Sequence, residues 1–306
     1  MISYADLHAD TLFRCFVEQT DLKDTRLHIY TDLSSCFDRH IQVYAHYIPE
    51  QQPDKWEWFL KFLANSQSLL QQAAVPLLAD AQDIQVSHGA IFSIEGGDLF
   101  ECIEQGEKRI AYLKDRGFSF YSLIYNHTNR FGSGARSEDD MGLTALGKEA
   151  VSLLEYNRIF PDVSHASYKA TNDILDVAKG PVCATHSNAL SLMPNTRNLC
   201  DEHLKRIAES GGLIGINLYP PFLGQGRVDR QDIIRHISYI INLCCEDAVA
   251  FGSDFDGVDY LPSGIENLLS MEQLLNDLKQ FGYSEAVLEK LFYENIYNFL
   301  KANLRR

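Results

Sequence analysis

Three histidines and three carboxylates carry most of the chemical potential of this sequence: His8, Asp10, Glu95, His165, His186 and Asp254. Mixed imidazole and carboxylate donors suit zinc, manganese, iron or nickel, whereas calcium and magnesium prefer oxygen alone. In His8-x-Asp10 both side chains leave the same face of an extended segment, because side chains there alternate with period two. Two metal ions about 3.5–4 Å apart, sharing one carboxylate, would use all these donors and form a hydrolytic centre. Each element also has an ordinary alternative. An isolated HxD is commonly a surface or hydrogen-bonded pair, and Glu95-Gly96-Gly97 reads as a strand-ending turn. Asp162-Val163-Ser164-His165 and His186-Ser187-Asn188 read as helix caps, and Asp254-Phe255-Asp256-Gly257 as an Asp-Gly turn. The other histidines that fall on expected helices, linkers or opposite strand ends (His28, His40, His46, His88, His203 and His236) are taken as solvated or structural.

Convergence of the six requires elements that end in one place. Short apolar runs at 1–6, 41–48, 89–95, 118–124, 159–164, 181–186, 212–218 and 248–254 are the expected strands. Several, such as Gly89-Ala90-Ile91-Phe92-Ser93-Ile94, are almost continuously apolar, as strands buried on both faces of a parallel sheet are. Amphipathic runs at 56–72, 101–115, 144–157, 167–178, 201–210, 230–245, 271–280 and 284–303 are the expected helices. Asp201 is the expected N-cap of the fifth, and Gly117, Gly180 and Gly282 stand where C-caps belong. Eight such alternations give a single-domain α/β (β/α)8 TIM-type barrel over 1–306, with a doubly wound open sheet as the alternative. The polar residues favour the barrel. Nearly all fall at the C-terminal ends of strands, which a closed barrel gathers into one rim and an open sheet spreads along an edge.

The 306 residues include 42 acidic and 27 basic side chains, a formal charge of −15. That balance argues against broad binding to nucleic acid or anionic membrane. No stretch approaches the roughly 18 apolar residues of a membrane helix, and the opening Met1-Ile2-Ser3-Tyr4 has no signal-peptide pattern, so no membrane anchor is expected. Seven cysteines without a CxxC pair suggest reduced thiols and a cytoplasmic location. Asn126-His127-Thr128 matches a glycosylation sequon that this compartment would leave unused. A homodimer is one assembly the sequence leaves open.

The ordered motifs Asp6-Leu7-His8-Ala9-Asp10, Glu95-Gly96-Gly97, Leu123-Ile124-Tyr125-Asn126-His127-Thr128-Asn129, Asp162-Val163-Ser164-His165, Thr185-His186-Ser187-Asn188-Ala189, Arg197-Asn198-Leu199 and Phe251-Gly252-Ser253-Asp254-Phe255-Asp256-Gly257-Val258 span almost the whole chain. Together they resemble the membrane (renal-type) dipeptidases, amidohydrolase-like zinc hydrolases. The resemblance implies a zinc-dependent dipeptidase that tolerates a D-residue at the C-terminal position. It implies two divalent ions, with His8 and Asp10 on one, His165 and His186 on the other, and Glu95 bridging them. Asp254 would act as base and proton carrier, Arg197 would hold the dipeptide carboxylate, and Tyr219 would help line the substrate pocket. One departure stands out. Many members carry a histidine where this chain has Tyr125, and that histidine is thought to stabilise the substrate oxyanion. Tyr125 offers one O–H donor and no positive charge. His127 would reach the same face if the segment is extended. Hydrolysis of a lactone, cyclic amide or phosphoester, or a non-catalytic metal-binding barrel, remains an alternative.

Overall fold

In the computed structural model, which describes residues 2–80 and 86–304, the apolar runs become seven strands. They are β1 (Ser3–Ala9), β2 (Arg39–Tyr47), β3 (His88–Glu95), β4 (Phe118–Tyr121), β5 (Phe160–Pro161), β6 (Ile214–Ile216) and β7 (Val249–Phe251). Met1, the first residue of the first expected strand, lies outside the described residues. Every neighbouring pair is parallel, in the order β5-β4-β3-β2-β1-β7-β6. Helices α1 (Thr11–Glu18), α2 (Thr31–Ser34), α3 (Lys55–Gln72), α4 (Ile103–Lys114), α5 (Ala145–Tyr156), α6 (Tyr168–Val177), α7 (Asp201–Glu209), α8 (Pro220–Leu223), α9 (Arg230–Leu243), α10 (Ser270–Phe281), α11 (Glu285–Glu289) and α12 (Asn295–Asn303) complete a single α/β domain.

The sheet is curled, and alternation along its strands makes two apolar layers, from which β1 departs at a register shift between Asp6 and Ala9, where His8 lies. Leu7, Ile41, Val43, Ile91, Phe120 and Ala250 point inward and meet one another together with Ile296, Phe299 and Leu300 of α12. Tyr4, Tyr44, Phe92 and Phe118 point outward and pack in the second cluster with helical residues such as Phe59, Phe62 and Ile110. An apolar floor inside the curl leaves the C-terminal strand ends as the place where polar groups gather. Several helices begin on side-chain caps: Asp54 accepts from Glu57 N, Thr144 from Gly147 N, and Asp229 and Asp232 form a capping box on α9.

Five expectations need correction. Segment 181–186 is not a strand. It keeps one parallel bridge on each side, Asp162–Cys183 and Ala184–Ile214. Pro181 has no N–H to give a ladder, and the Thr185 N–H donates to Asp162 Oδ1 (2.9 Å) instead of to a backbone carbonyl. Several other expected strands run too far at their C-terminal ends, because 122–124, 162–164, 217–218 and 252–254 leave the ladder to build the site. Helix α7 is capped by Cys200. Asp201 is its first residue, and its carboxylate accepts from Ser191 and Tyr239. Gly282 does end α10 in the left-handed region (φ 115°), but α6 ends at Ala178 with extended backbone, so Gly180 caps nothing. The expected helix 284–303 is interrupted by a π-helical turn at Lys290–Glu294. After it, the Asn295 amide donates to the carbonyls of Glu246 and Val249.

Candidate metal centre

Strand ends place the donors. His8 is the penultimate residue of β1 and Glu95 the last of β3, while His165 follows β5 and Asp254 follows β7. Asp10 stands at the N-cap of α1 without making a capping bond, so its carboxylate is free to face the centre. His165 (φ 73°) and Asp254 (φ 63°) both adopt left-handed backbone, a strained choice for side chains of this size. One oxygen lies at the middle. Glu95 Oε1 is 2.7 Å from His165 Nε2, 3.4 Å from His186 Nε2 and 3.7 Å from His8 Nε2. On the other side of His8, Nε2 lies 3.4 Å from Asp10 Oδ2 and 3.8 Å from Asp254 Oδ1. His8, Glu95 and His186 form one group of possible ligands, and His8, Asp10 and Asp254 a second.

Further partners fix which ring atoms face inward. The Thr185 hydroxyl donates to Asp162 Oδ2 (2.5 Å), which leaves its oxygen to accept from His186 Nδ1 at 2.9 Å. Asn126 Oδ1 lies 3.0 Å from His165 Nδ1 and accepts from it in the same way. With both Nδ1 atoms donating, both Nε2 lone pairs face the centre, and they lie 2.9 Å apart. Two acceptors at that distance, beside a carboxylate oxygen, make a donor set suited to a cation. His8 Nε2 is buried and has no hydrogen-bond partner at all. Asp6, beneath, accepts from the N–H groups of His8 and Ser253 and from the Tyr4 hydroxyl, tying β1 to the segment that carries Asp254.

The charges point the same way. Burial opposes a charge on His8, yet Glu95, Asp10 and Asp254 push it up to about 10. Burial raises Asp254 to about 6, with Asp10 adding to it and His8, Asn217 and Arg197 opposing. Glu95 is raised well above the usual carboxylate range, again first by burial. Burial lowers His165 and His186 well below the ordinary imidazole value. Three carboxylates thus share a pocket with one permanent cation, Arg197. The donor set fits divalent metal ions.

Arg197 is buried, and its Nε has no partner. Its guanidinium lies over the Phe222 ring at 5.4 Å, and its charge acts on Asp254, Glu95 and Tyr125. Tyr125 stacks on His165 (4.3 Å between centroids), and Glu95, Asp10 and Asp254 all bear on its hydroxyl. Tyr219 is half-buried between Phe222 and Tyr260, and its N–H donates to Asn217 Oδ1. His127 is not brought in. Its ring is 61% exposed and pairs with Glu50 at 2.8 Å, because residues 122–129 turn away and do not continue as a strand. Asp256 is also occupied elsewhere, accepting from Thr11, Arg14 and the His28 N–H. Reading the sequence for site residues misses Tyr47, paired in register with Glu95 and hydrogen bonded to Tyr125. It also leaves Asn217, whose amide donates to Asp254 Oδ2 (3.0 Å), without a role. Asn217 had a signal in its place at a strand end; Tyr47 shows itself only through the β2–β3 register.

A profile of the membrane dipeptidase family (peptidase family M19) matches residues 2–304. The chain belongs to the membrane dipeptidase family. It is a metallo-dipeptidase by that membership. The uncharacterised protein in the pqqA 5′ region of Klebsiella pneumoniae is 40% identical over 220 residues, 68% of this chain and 79% of its own length. An uncharacterised dipeptidase of Schizosaccharomyces pombe is 34% identical over 187 residues, 57% of this chain and 44% of its own. Among solved structures, a metallopeptidase from Rhodobacter sphaeroides liganded with a phosphinate mimic of L-Ala-D-Ala superposes with a TM-score of 0.88 at 24% identity, over 99% of each chain. The metallopeptidase dipeptidase AC gives the same score and identity over 100% of this chain and 99% of its own. Both share the membrane dipeptidase fold from end to end.

Proposed function

We propose that the chain is a zinc-dependent dipeptidase whose site takes two divalent ions, one on His8 and Asp10, the other on His165 and His186, with Glu95 shared. The observation that carries this is the pair of inward-facing lone pairs, His165 Nε2 and His186 Nε2, 2.9 Å apart and both within 3.4 Å of Glu95 Oε1. Bound ions of this kind polarise a carbonyl and acidify solvent. The chain's own residues do the rest. Asn217 holds Asp254 by Oδ2, leaving Oδ1 towards the centre to take a proton from the attacking water and deliver it to the leaving nitrogen. Arg197 holds the substrate's free carboxylate with a planar, always-charged fork. The Tyr125 hydroxyl gives one hydrogen bond to the developing oxyanion, and Tyr219 lines the pocket. His127 takes no part.

Gripping only the carboxylate and the carbonyl leaves room for a D-residue at the C-terminal position. A buried Arg197 also favours a peptide with a free carboxylate over a neutral lactone or cyclic amide. We read the sheet as a (β/α)8 barrel closed through residues 181–186, supported by the bridges on either side of that segment. Seven unpaired cysteines are in keeping with a cytoplasmic location, which cell fractionation would check. The function is tested with the zinc-loaded protein on L-Ala-L-Ala, L-Ala-D-Ala and the tripeptide Ala-Ala-Ala. Both dipeptides should be cleaved and the tripeptide spared. Equal rates on the tripeptide contradict the role of Arg197, and no cleavage of either dipeptide contradicts the function.

A further inference from the structure

Among the described residues Arg136 is an exposed cation without a salt-bridge partner, on a loop whose backbone is bonded to His165 and Asn126. Along the same loop Arg130 is paired with Asp98 and Glu101, whereas Arg136 has no carboxylate within salt-bridge distance among the described residues. Its backbone is held tightly. The Ala135 N–H donates to the His165 carbonyl and the Arg136 N–H to the Asn126 carbonyl, both at 2.8 Å. Gly134 bridges Ala166, and its lack of a side chain lets the loop lie flat there, since a Cβ would fall 2.1 Å from the Tyr125 carbonyl oxygen. On the other flank the Ser137 N–H donates to the Gly134 carbonyl. The loop is therefore fastened to the residues that carry and support His165. The Arg136 charge acts on His165 from one side and on Tyr219, at the end of β6, from the other. Arg197 acts on the same His165 from below. Arg197 is buried and Arg136 exposed, and the charge of each reaches His165. Asp259 and Asp254 are the opposing charges that act on the same Tyr219.

We propose that Arg136 receives a second, side-chain carboxylate of the substrate, so that the preferred dipeptides end in aspartate or glutamate. This rests on the dipeptidase reading, in which Arg197 holds the main-chain carboxylate of the same residue. A protein of charge −15 repels acidic substrates at long range, and a fixed cation on this loop offsets that repulsion locally. Because Arg136 is exposed, salt should screen its contribution.

The zinc-loaded enzyme is assayed on Ala-Asp and Ala-Glu against the near-isosteric Ala-Asn and Ala-Gln, with each result read as a ratio of kcat/KM. At low salt the acids should lead by roughly 2- to 5-fold, the size of one exposed ion pair. Added sodium chloride should narrow the gap. Arg136→Met should bring the ratio close to one, and Arg136→Lys should keep part of it. A general loss of activity cancels in the ratio. Phosphinate mimics of Ala-Asp and Ala-Asn, titrated calorimetrically, should show the same preference in Kd. A ratio near one in the parent enzyme, or one that survives in Arg136→Met, overturns the inference. Cleavage of the amides without preference overturns it alone, whereas no cleavage of any of the four peptides overturns the dipeptidase reading as well.

Discussion

Asp254 is pinned by one oxygen to Asn217 and presents the other to His8, on backbone held at φ 63°. Asp254→Asn preserves size and removes the ability to carry a proton. General acid–base assistance is typically worth about 10²–10⁴-fold, and kcat should fall by that order while elemental analysis still finds the parent's metal content. Loss of metal in step with activity would instead make Asp254 a ligand. Its neighbour Asp256 is engaged elsewhere, its carboxylate held by Thr11, Arg14 and the His28 N–H. Arg197→Met should lower kcat/KM on dipeptides by roughly 10–150-fold, the worth of one charge-assisted hydrogen bond of about 1.5–3 kcal/mol. Retained kcat/KM in a folded Arg197→Met variant would remove the carboxylate clamp from the account. These donor types could be read directly, because imidazole and carboxylate chemistry is a property of the residue. Which tyrosine or histidine reaches the centre could not. The same-face argument for His127 assumes extended backbone, and the chain turns at Tyr125 and sends His127 out to Glu50.

At the scale of elements, the long parallel strands were legible because burial on both faces leaves a continuous apolar run, as in β1 and β3. Segment 181–186 carries the same apolar pattern, but only Cys183 and Ala184 keep backbone ladder bonds. The N–H groups of Val182, Thr185 and His186 go to the side chains of Ser210, Asp162 and Ser164, which no pattern records. Its position depends on glycine. A Cβ on Gly252 would lie 1.7 Å from the Thr185 carbonyl oxygen and one on Gly215 would lie 2.0 Å from it, so that Gly252→Ala should displace the segment and be severely destabilising in a denaturant melt. Thr185→Val keeps the shape and breaks the Asp162–Thr185–His186 chain. Loss of such support typically weakens metal binding about 10–100-fold, to be read as a shift in zinc affinity. The buried Asp162 Oδ2 and His186 Nδ1 left without a partner should also lower the melting temperature of the metal-free protein. Helix α1 went unseen although Asp10 is a favourable N-cap type; its carboxylate makes no capping bond and is left for the centre. Beneath α3, His46 of β2 lies wholly buried among Phe62, Phe92 and Phe118, and burial pushes it down to about 3 against the nearby Tyr44 and Ser93 backbone. The unfolded chain takes up a proton below about pH 6.5 that the folded chain refuses. Stability is therefore full above that pH and falls as pH drops towards 3. By pH 5 the loss from this one residue is about 2 kcal/mol, which His46→Leu should abolish in urea melts compared at pH 8 and pH 5.

For the molecule as a whole, the fold brings together donors 246 residues apart in sequence, from His8 to Asp254, and does so with too little positive charge to balance them. Metal binding should then feed into folding. Ions held at about 1,000 times Kd add about 4 kcal/mol per site, so chelation should lower the melting temperature by several degrees. The global arrangement was legible to the extent that polar residues fell at strand ends. The seven-strand ladder with a bridging segment was not, since closure depends on register and on hydrogen bonds between residues far apart in the chain. The central claim is that this centre hydrolyses dipeptides with two ions bound. It is tested most directly by adding zinc stepwise to the metal-free protein and following cleavage of L-Ala-D-Ala at each addition. Activity should rise from none and level off at two equivalents per chain. Undiminished cleavage in the metal-free protein, or no cleavage at any zinc level, would contradict the account.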